Sequence, residues 1–335
     1  MSIHVDNKHL IHQGLGALFK VTGSDVQRLV SELYHDDAIF NASHPINELV
    51  GHDAITSTWQ SLREALPDAE RRDEIVLGGA DGDAHYVSTM GHVLGTFDAD
   101  WLNIPATGKL VQLRYGEIHR VTDGRIRSSY TWFDLLDLMR QSGCWPIMPS
   151  LGTEGQWPGP ASCDGLRLDE DGAEAGAQSV ALMKKMHDGL LEFDGKSLES
   201  MSHRQYWADD FMWYGPSGIG TTRGINGFEA YHQIPFLKGF PDRGFGDEYI
   251  CFGDGHYAAT GGWVAMRQTH TGDGWLGLPA TGKVVTLRVM DLYRVQDHLL
   301  SENWVLIDLI DVLKQMGVDV FARLRHLRGN PQRSL

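Results

Sequence analysis

The sequence predicts two similar α+β domains in tandem, and three observations support this fold class. First, residues 101–114 recur as residues 275–288, at a constant spacing of 174 positions. Second, each copy begins with segments of helical periodicity and continues with segments in which apolar and polar residues alternate. Third, short turn sequences join the alternating segments. Helices followed by a meander of strands indicate an α+β domain with an antiparallel sheet.

The repeat extends well beyond its best-matched segment. Downstream, the same spacing relates four identical pairs: Arg120 and Arg294, Asp123 and Asp297, Asp134 and Asp308, and Asp137 and Asp311. Upstream, after small gaps, the matched residues are Asp36 and Asp209, Gly51 and Gly224, and Pro67 and Pro241. A solenoid unit is only about 20–50 residues long. The repeat is therefore expected to be a duplicated whole domain.

The chain length and the composition between the copies set the domain boundaries. A chain of 335 residues is long enough for two domains of ordinary size. Residues 144–176 contain four prolines, six glycines and an acidic run at 169–171, which is typical of a linker. We predict a first domain at 1–145, a linker at 146–176, a second domain at 177–320 and a C-terminal tail at 321–335.

The predicted helices of the first copy have recognisable beginnings and ends. Ser24 and Gln27 form a capping-box pattern, in which the Ser oxygen accepts a helix amide and the Gln side chain returns to the Ser backbone. The apolar residues that follow fall on one helical face: Val26, Leu29, Val30 and Leu33. A second helix is predicted at 51–66, where Pro67 ends it, and a last one at 135–142, where Gly143 ends it.

One short predicted strand precedes the helix at 51–66, and the longer predicted strands follow it. Residues 34–40 begin one strand, and the longer alternating segments lie at 85–97, 109–121 and 125–133. Turn sequences at 106–109 and 122–125 join the longer segments. In the second copy, helices predicted at 178–193 and 198–206 precede the same order of helix and strands.

Composition and charge limit the classes of partner. The formal charge of −15 is spread along the chain, which argues against nucleic acid and anionic membranes as partners. Three cysteines without paired spacing suggest a reducing compartment. The N-terminus has no signal-peptide pattern, and no apolar run approaches the roughly 18 residues of a membrane span. We therefore expect a cytoplasmic protein.

Several motifs that bind cofactors or metals are absent or incomplete. Residues 277–283 imitate a phosphate-binding loop, but Val284 stands where that loop needs a hydroxyl to bind magnesium. The sixteen histidines show neither the spacing of a zinc protease motif nor pairing with cysteine. We expect no metal and no cofactor.

A pair of matched carboxylates is the most specific signal for chemistry. Trp304 and Asp308 share one face of a predicted strand, and in the first copy the same face carries Tyr130, Trp132 and Asp134. A carboxylate among aromatic rings loses hydration, so its pKa rises toward the range of a general base. Both aspartates also fit the N-cap position of the last helix in each copy. The two interpretations are compatible, and the sequence leaves both open.

Other candidate ligand contacts come from matched or isolated polar and aromatic residues. Arg114 and Arg288 lie mid-strand at matching positions and either bind an oxyanion, pair with Glu117 or Asp291, or face solvent. His92 and His44 are candidate polar groups of a pocket, although each also fits a histidine that is satisfied or exposed. Tyr214 fits either a core position or a ligand contact.

Residues late in each copy carry a family resemblance. Residues 279–283 (Pro-Ala-Thr-Gly-Lys), 293–295 (Tyr-Arg-Val), Asn303-Trp304, Asp308 and 315–317 (Gln-Met-Gly) resemble the SnoaL-like polyketide cyclases of the nuclear transport factor 2-like superfamily. The resemblance covers most of both copies. It implies a cone of helices on a curved antiparallel sheet that encloses an apolar pocket.

The resemblance also implies a mechanism and a substrate class. In these cyclases a pocket Asp, without a cofactor, removes a proton next to a carbonyl group, and the enolate closes a ring by intramolecular aldol addition. Carried to this sequence, the base is Asp308 or Asp134, and the substrate is a small carbonyl compound. Two alternatives remain: a protein that binds small molecules without catalysis, and an epoxide hydrolase or dehydratase on the same fold.

The duplication adds two expectations about the assembly. The two domains should pack through their sheets as an internal pseudo-dimer, and a homodimer of the whole chain is possible. The copies should also differ in function, because duplication allows one half to lose the chemistry. Trp304 matches the family pattern while Tyr130 replaces it in the first copy, so the second copy is predicted to be the active one.

Overall fold

The computed structural model describes residues 2–328 and contains two α+β domains. The elements of the first domain are α1 (Ile3–Leu18), α2 (Ser24–Leu33), β1 (Tyr34–Ala42), β2 (Asn47–Val50), α3 (His52–Ala65), β3 (Glu70–Asp81), β4 (Ala84–Thr96), β5 (Leu110–Thr122), β6 (Arg125–Phe133) and α4 (Leu135–Gln141). The predicted fold class is confirmed, and the predicted helices and strands of this domain are present within a few residues.

The second domain repeats this order with shorter pieces around its helices. Its helices are α5 (Ala173–Leu191), α6 (Gly224–Phe228), α7 (Ile234–Gly239), α8 (Leu309–Gln315) and α9 (Val320–Leu327). Its strands are β7 (Trp207–Tyr214), β8 (Thr222–Arg223), β9 (Gly244–Phe245), β10 (Ile250–Asp254), β11 (Tyr257–Thr269), β12 (Val284–Gln296) and β13 (Leu299–Ile307). A π-helical turn (Glu229–Gln233) joins α6 directly to α7.

Both sheets have the same strand order and a single parallel pair. The first runs β2-β1-β6-β5-β4-β3, and the second runs β10-β11-β12-β13-β7-β8 with β9 beside β11. β1 lies parallel to β6, and β7 lies parallel to β13, while all other pairs are antiparallel. The sheets are therefore mixed, because the first strand of each copy returns to lie beside the last strand of the meander.

Two local predictions were wrong, and a third segment, the predicted tail, contains a helix. No side chain caps α2, whose N-cap residue is Gly23, so the capping box is not formed. The helix predicted at 198–206 is two 3-10 turns separated by Ser202, whose φ is +48°. Part of the predicted tail is α9, and residues 329–335 lie outside the described residues.

The two sheets pack face to face across the centre of the molecule. The residues buried between them are Ile75, Leu77, Met90, Ile118 and Trp132 from the first domain, Trp157 between the domains, and Tyr214, Phe252, Tyr257, Met290, Trp304 and Leu306 from the second. A buried ion pair adds to this contact, since Lys8 Nζ lies 2.6 Å from Asp254 Oδ2. The opposite face of each sheet is covered by the helices of its own domain.

No helix within residues 2–328 has both the length and the apolar character needed to cross a membrane.

Candidate active site

A cavity lies between the helices of the second domain and the inner face of its sheet. About 130 Å³ of it is open to the centres of water-sized molecules. Most of its lining is apolar and aromatic: Met186, Leu190, Leu191, Trp207, Trp213, Phe228, Phe236, Phe245, Ala265, Met266, Leu287, Val289, Val305 and Ile307. The polar lining groups are His187, His232, Gln233, Arg243, Tyr249, Thr260, Asp291, Tyr293 and Asn303. A mainly apolar cavity with a few polar groups is typical of a small-molecule site.

Strand alternation decides which residues reach this cavity. On β13, Asn303, Val305 and Ile307 line it, whereas Trp304 and Leu306 point to the other domain. The sequence correctly grouped alternate residues on one face. The face with Trp304, however, is the interdomain face and not the cavity face.

Asp291, in the middle of β12, is the carboxylate of the cavity. Its Oδ1 accepts hydrogen bonds from Tyr293 Oη at 3.2 Å and from Asn303 Nδ2 at 3.3 Å. Its Oδ2 has no hydrogen-bond partner within residues 2–328. Burial raises the pKa of Asp291 to about 6, because these two hydrogen bonds compensate only part of the lost hydration. The carboxylate therefore combines a fixed oxygen, a free oxygen and the pKa of a general base near neutral pH.

A chain of hydrogen bonds leads from α5 to this carboxylate. His187 Nε2 lies 2.8 Å from Tyr293 Oη, and His187 Nδ1 lies 2.8 Å from Tyr249 Oη. Burial and the nearby charge of Arg243 lower the pKa of His187 to about 4, so the ring is neutral at pH 7. With its one proton assigned to Nε2, each hydrogen bond of the chain points toward Asp291. This series of hydrogen bonds thus stabilises the ionised form of the Asp291 carboxylate.

His232 is a second polar group of the cavity. Its ring stacks on Trp213, with centroids 4.1 Å apart and an interplanar angle of 18°. Burial, followed by the charge of Arg243, lowers the pKa of His232 to about 3. Its Nδ1 is buried and has no partner in the part of the chain that the structure describes. A neutral imidazole has one donor and one acceptor nitrogen, so the His232 ring can offer either to a ligand.

A one-residue insertion positions His232. The spacing between the copies is 173 at Gly51 and Gly224 but 174 at Pro67 and Pro241. In the second domain, the helix between these points contains the π-helical turn, whereas α3 of the first domain is regular. A π turn accommodates one extra residue and is frequent at functional sites. The insertion therefore gives the second domain a helix geometry that the first domain lacks.

The matching place in the first domain is filled by an ion-pair network. Glu117 occupies the position of Asp291, and Arg71 NH2 lies 2.6 Å from its Oε2 and 2.9 Å from Asp73 Oδ1. The Arg71 guanidinium also lies 4.2 Å from the centre of the Tyr115 ring. Burial alone would raise the pKa of Glu117, but Arg71 and a hydrogen bond from His119 outweigh it and hold this pKa below its usual range. This carboxylate is thus neutralised and enclosed.

Asp134 and Asp308, the carboxylates singled out in the sequence, lie at the domain interface. The Oδ1 of each caps its own helix, through Asp137 N at 3.1 Å and Asp311 N at 3.2 Å. The Oδ2 of each accepts from the other domain: Ser217 N donates to Asp134 at 2.9 Å, and His44 N donates to Asp308 at 2.8 Å. The N-cap role proposed from sequence is confirmed.

The surroundings of these two aspartates leave little room for a substrate. The Oδ2 atoms also accept from Arg114 at 3.2 Å and from Arg288 at 2.9 Å. Burial raises the pKa of each carboxyl to about 6, against the opposing effects of the backbone and arginine contacts. Both aspartates line a crevice of about 10 Å³, roughly the space of one water molecule. A catalytic role for them stays a prediction.

The remaining predicted residues lie outside the cavity, at the interface or on its edge. Tyr214 stacks on Trp304 at 5.2 Å, and Trp304 Nε1 donates to Pro158 O at 2.8 Å. Tyr130 and Trp132 both lie against Trp263, at 6.0 and 5.4 Å between ring centroids. These aromatic groups hold the two sheets together.

Two predicted polar groups, His92 and Arg114, meet in a separate polar cleft of about 370 Å³. His92 Nδ1 lies 2.7 Å from Glu74 Oε1. The Arg114 guanidinium lies 5.5 Å from the centre of the Trp157 ring, and the corresponding Arg288 lies 4.7 Å from that of Trp263. Each of these predicted groups is already paired.

Within residues 2–328, no cluster of three or more His, Cys, Asp or Glu side chains is arranged for a metal ion.

Sequence reasoning missed Asp291, His187 and His232. Two signals were present. Asp291 interrupts an alternating strand whose other inward positions, Leu287 and Val289, are apolar. The change of spacing from 173 to 174 also marks the helix that carries His232.

The fold and the cavity together define a class: α+β proteins with a mainly apolar cavity between a curved sheet and its helices. The chain belongs to the SnoaL-like polyketide cyclase family. The model of that family matches residues 20–142 and 195–316, which together make up more than half of the chain. No curated protein matches the chain.

Solved structures match one domain's share of the chain at low identity. IdmH from Streptomyces antibioticus is 22% identical, and the match covers 41% of this chain and 98% of IdmH, with a TM-score of 0.34. A protein from Jannaschia sp. CCS1 described as SnoaL-like is 20% identical over 42% of this chain and 92% of its own, with a TM-score of 0.34. AclR from Streptomyces galilaeus is 16% identical over 44% and 86%, with a TM-score of 0.36.

Proposed function

We propose that the second domain is a cofactor-free active site for a small carbonyl compound and that Asp291 is its general base. The observation that carries this proposal is the state of the Asp291 carboxylate: it lines the cavity, has a pKa raised to about 6, and keeps Oδ2 free. A base in this state is ionised at neutral pH and still has useful proton affinity.

The reaction that fits this family is an intramolecular aldol closure. Asp291 Oδ2 takes a proton from the carbon beside a carbonyl group, and the electrons of that C–H bond form an enolate. The enolate carbon attacks a second carbonyl carbon of the same molecule, which forms the ring C–C bond and an alkoxide. The alkoxide then takes the proton from Asp291. The base is regenerated, and no oxidant or reductant is consumed.

Two further groups support this chemistry. Neutral His232 lines the cavity, and its one ring N–H can donate a hydrogen bond to the enolate oxygen, where negative charge develops. Tyr293 and Asn303 hold Asp291 Oδ1, which fixes the direction of Oδ2. His187 orients Tyr293 and takes no proton in this scheme.

The base predicted from sequence, Asp308 or Asp134, remains the main alternative. Three contacts occupy the oxygens of each, and the crevice they line has room for about one water molecule. Their contacts therefore favour a structural role. A protein that binds a ligand in the same cavity without catalysis is the alternative of another class.

The proposal is tested by proton exchange and ring closure. Exchange of the α-protons of 2-tetralone in D₂O is followed by NMR, and closure of heptane-2,6-dione to its cyclic β-hydroxy ketone is followed by NMR as well. The wild type should accelerate both, and Asp291→Asn should lower the rate roughly 100-fold or more. Glu117→Gln, the matched change in the first domain, should leave the rate of the folded protein unchanged. Equal rates for the wild type and Asp291→Asn, or no acceleration by the wild type, would contradict the proposal.

A further inference from the structure

The cavity contains a guanidinium without an acidic partner. Arg243, on the loop between α7 and β9, donates to Leu190 O at 2.7 Å and to Gln233 Oε1 at 3.1 Å, and it also contacts the sulfur of Met201. All three are neutral groups, and within residues 2–328 Arg243 forms no ion pair. The buried Arg71 and Arg114, by contrast, each have two carboxylate neighbours.

Within residues 2–328, therefore, no carboxylate compensates the charge of Arg243, whose guanidinium carbon lies 5.9 Å from the centre of the Phe236 ring. Burial lowers its pKa to about 10, so the side chain remains a cation at neutral pH. A partly buried cation is stabilised by a partner that brings negative charge and hydrogen-bond acceptors. A planar carboxylate fits a guanidinium well because it accepts two parallel N–H bonds.

Arg243 lies near the rim of the cavity. Phe245, two residues further along the chain, lines the cavity and is 42% exposed. Leu191, beside the Leu190 carbonyl that Arg243 binds, also lines the cavity and is 43% exposed. Asp291 lies on the sheet side of the same cavity, and its negative charge would repel a second anion from that region. One anionic group is thus favoured at the rim and disfavoured beside the base.

We propose that the cavity takes amphipathic monoanions, in which an apolar body fills the aromatic interior and a carboxylate binds Arg243. For turnover, this inference rests on the proposed function: the substrate would be a carbonyl compound that carries a carboxylate away from its reacting carbons. As a statement about binding, it stands on Arg243 and the apolar lining alone.

The test uses two probes of equal shape and different charge, 2-naphthoate and 2-naphthamide. Their dissociation constants are measured by calorimetry at pH 7.5 and low salt. The wild type should bind 2-naphthoate at least about tenfold more tightly, because a hydrogen bond to a charged group is worth more than one to a neutral group. Arg243→Met should remove this preference and still bind 2-naphthamide, and Arg243→Lys should keep part of it. Arg267→Met, which removes an exposed arginine of the same domain, should behave as the wild type.

The outcomes separate this inference from the proposed function. Equal affinity for the two probes in the wild type, or a preference that survives in Arg243→Met, would overturn it. Failure of the wild type to bind either probe would also overturn it. If Arg243→Met does not fold, the wild-type preference and its reduction in Arg243→Lys decide the matter. Because binding is measured without turnover, the result is independent of whether Asp291 is a base, and Asp291→Asn should keep the preference for 2-naphthoate.

Discussion

Gly116 and Met290 occupy the same position in the two copies, and they face each other across the domain interface. A Cβ atom on Gly116 would lie 2.6 Å from the sulfur of Met290 and 2.8 Å from Leu306. Two identical copies could not pack in this way, because methionine at both positions would overlap. The duplicated domains have thus become complementary, one with a gap and the other with the side chain that fills it.

The first prediction concerns this complementary pair. Gly116→Met should destabilise the protein by about 1–3 kcal/mol, because the added side chain overpacks the interface. Met290→Gly should also destabilise it, because it leaves a cavity. The double variant, which exchanges the two residues, should recover part of the loss in a double-mutant cycle of unfolding free energies. Strictly additive losses would show that the two side chains do not share one space.

A second prediction concerns Asp134 as an interdomain contact. Asp134→Ala should cost roughly 3–5 kcal/mol of unfolding free energy, because it leaves buried Arg114 short of a partner and also removes a helix cap. Asp319→Ala, which removes the exposed cap of α9 and a surface ion pair with Arg325, should cost about 1 kcal/mol. Urea unfolding of both variants measures the difference. Similar losses would mean that the interdomain contacts of Asp134 add no stability.

The third prediction is a pH-dependent gain in stability for Asp291→Asn. Asp291 titrates near its ordinary pKa of 3.8 when unfolded and at about 6 when folded. The folded state therefore binds the proton more tightly, and stability falls as pH rises from about 4 to about 6. Asn cannot ionise, so the melting temperature of Asp291→Asn should match the wild type at pH 4 and exceed it at pH 8. Glu117→Gln should instead lower the melting temperature at neutral pH. The pKa of Glu117 is held low, so the wild-type side chain is ionised there, and the substitution removes its ion pair.

The fourth prediction concerns the π-helical turn. Deletion of Tyr231, an exposed residue of this turn, should restore a regular helix like α3 and leave the protein folded. The deletion changes the direction of His232 relative to the rest of the helix, so binding of 2-naphthamide should weaken. Ala substitution of Tyr231 keeps the residue count and serves as the control. Unchanged binding by the deletion variant would mean that the turn does not position the cavity wall.

The fold was predictable because it depends on local patterns that occur twice. Apolar periodicity and turns at Gly and Pro predict helix 51–66, the three long strands and the final helix. The same patterns recur in the second copy, so each assignment has two independent observations. The capping box at Ser24 failed because the pattern is short, and Gly23 took the cap position instead.

The site was less predictable because both faces of the central strands are apolar. β13 carries Trp304 on the face toward the other domain and Val305 on the face toward the cavity, and periodicity alone does not say which face encloses a ligand. The ion-pair network that fills the matching place in the first domain also depends on tertiary contacts. It depends on Arg71, on a strand that had not been predicted, reaching Glu117 on β5.

The central claim is that chemistry takes place in the second domain's cavity and not at the interface. The most direct measurement compares Asp291→Asn with Asp308→Asn in the exchange assay, with melting temperatures recorded for both. The account predicts a rate loss of roughly 100-fold or more for Asp291→Asn, with an equal or higher melting temperature at pH 8. It predicts a lower melting temperature for Asp308→Asn, because an amide NH2 group cannot accept the hydrogen bonds that Asp308 Oδ2 receives from His44 N and Arg288. The rate of the folded Asp308→Asn protein should stay within about a factor of two of the wild type. A large rate loss in Asp308→Asn alongside an unimpaired Asp291→Asn would contradict it.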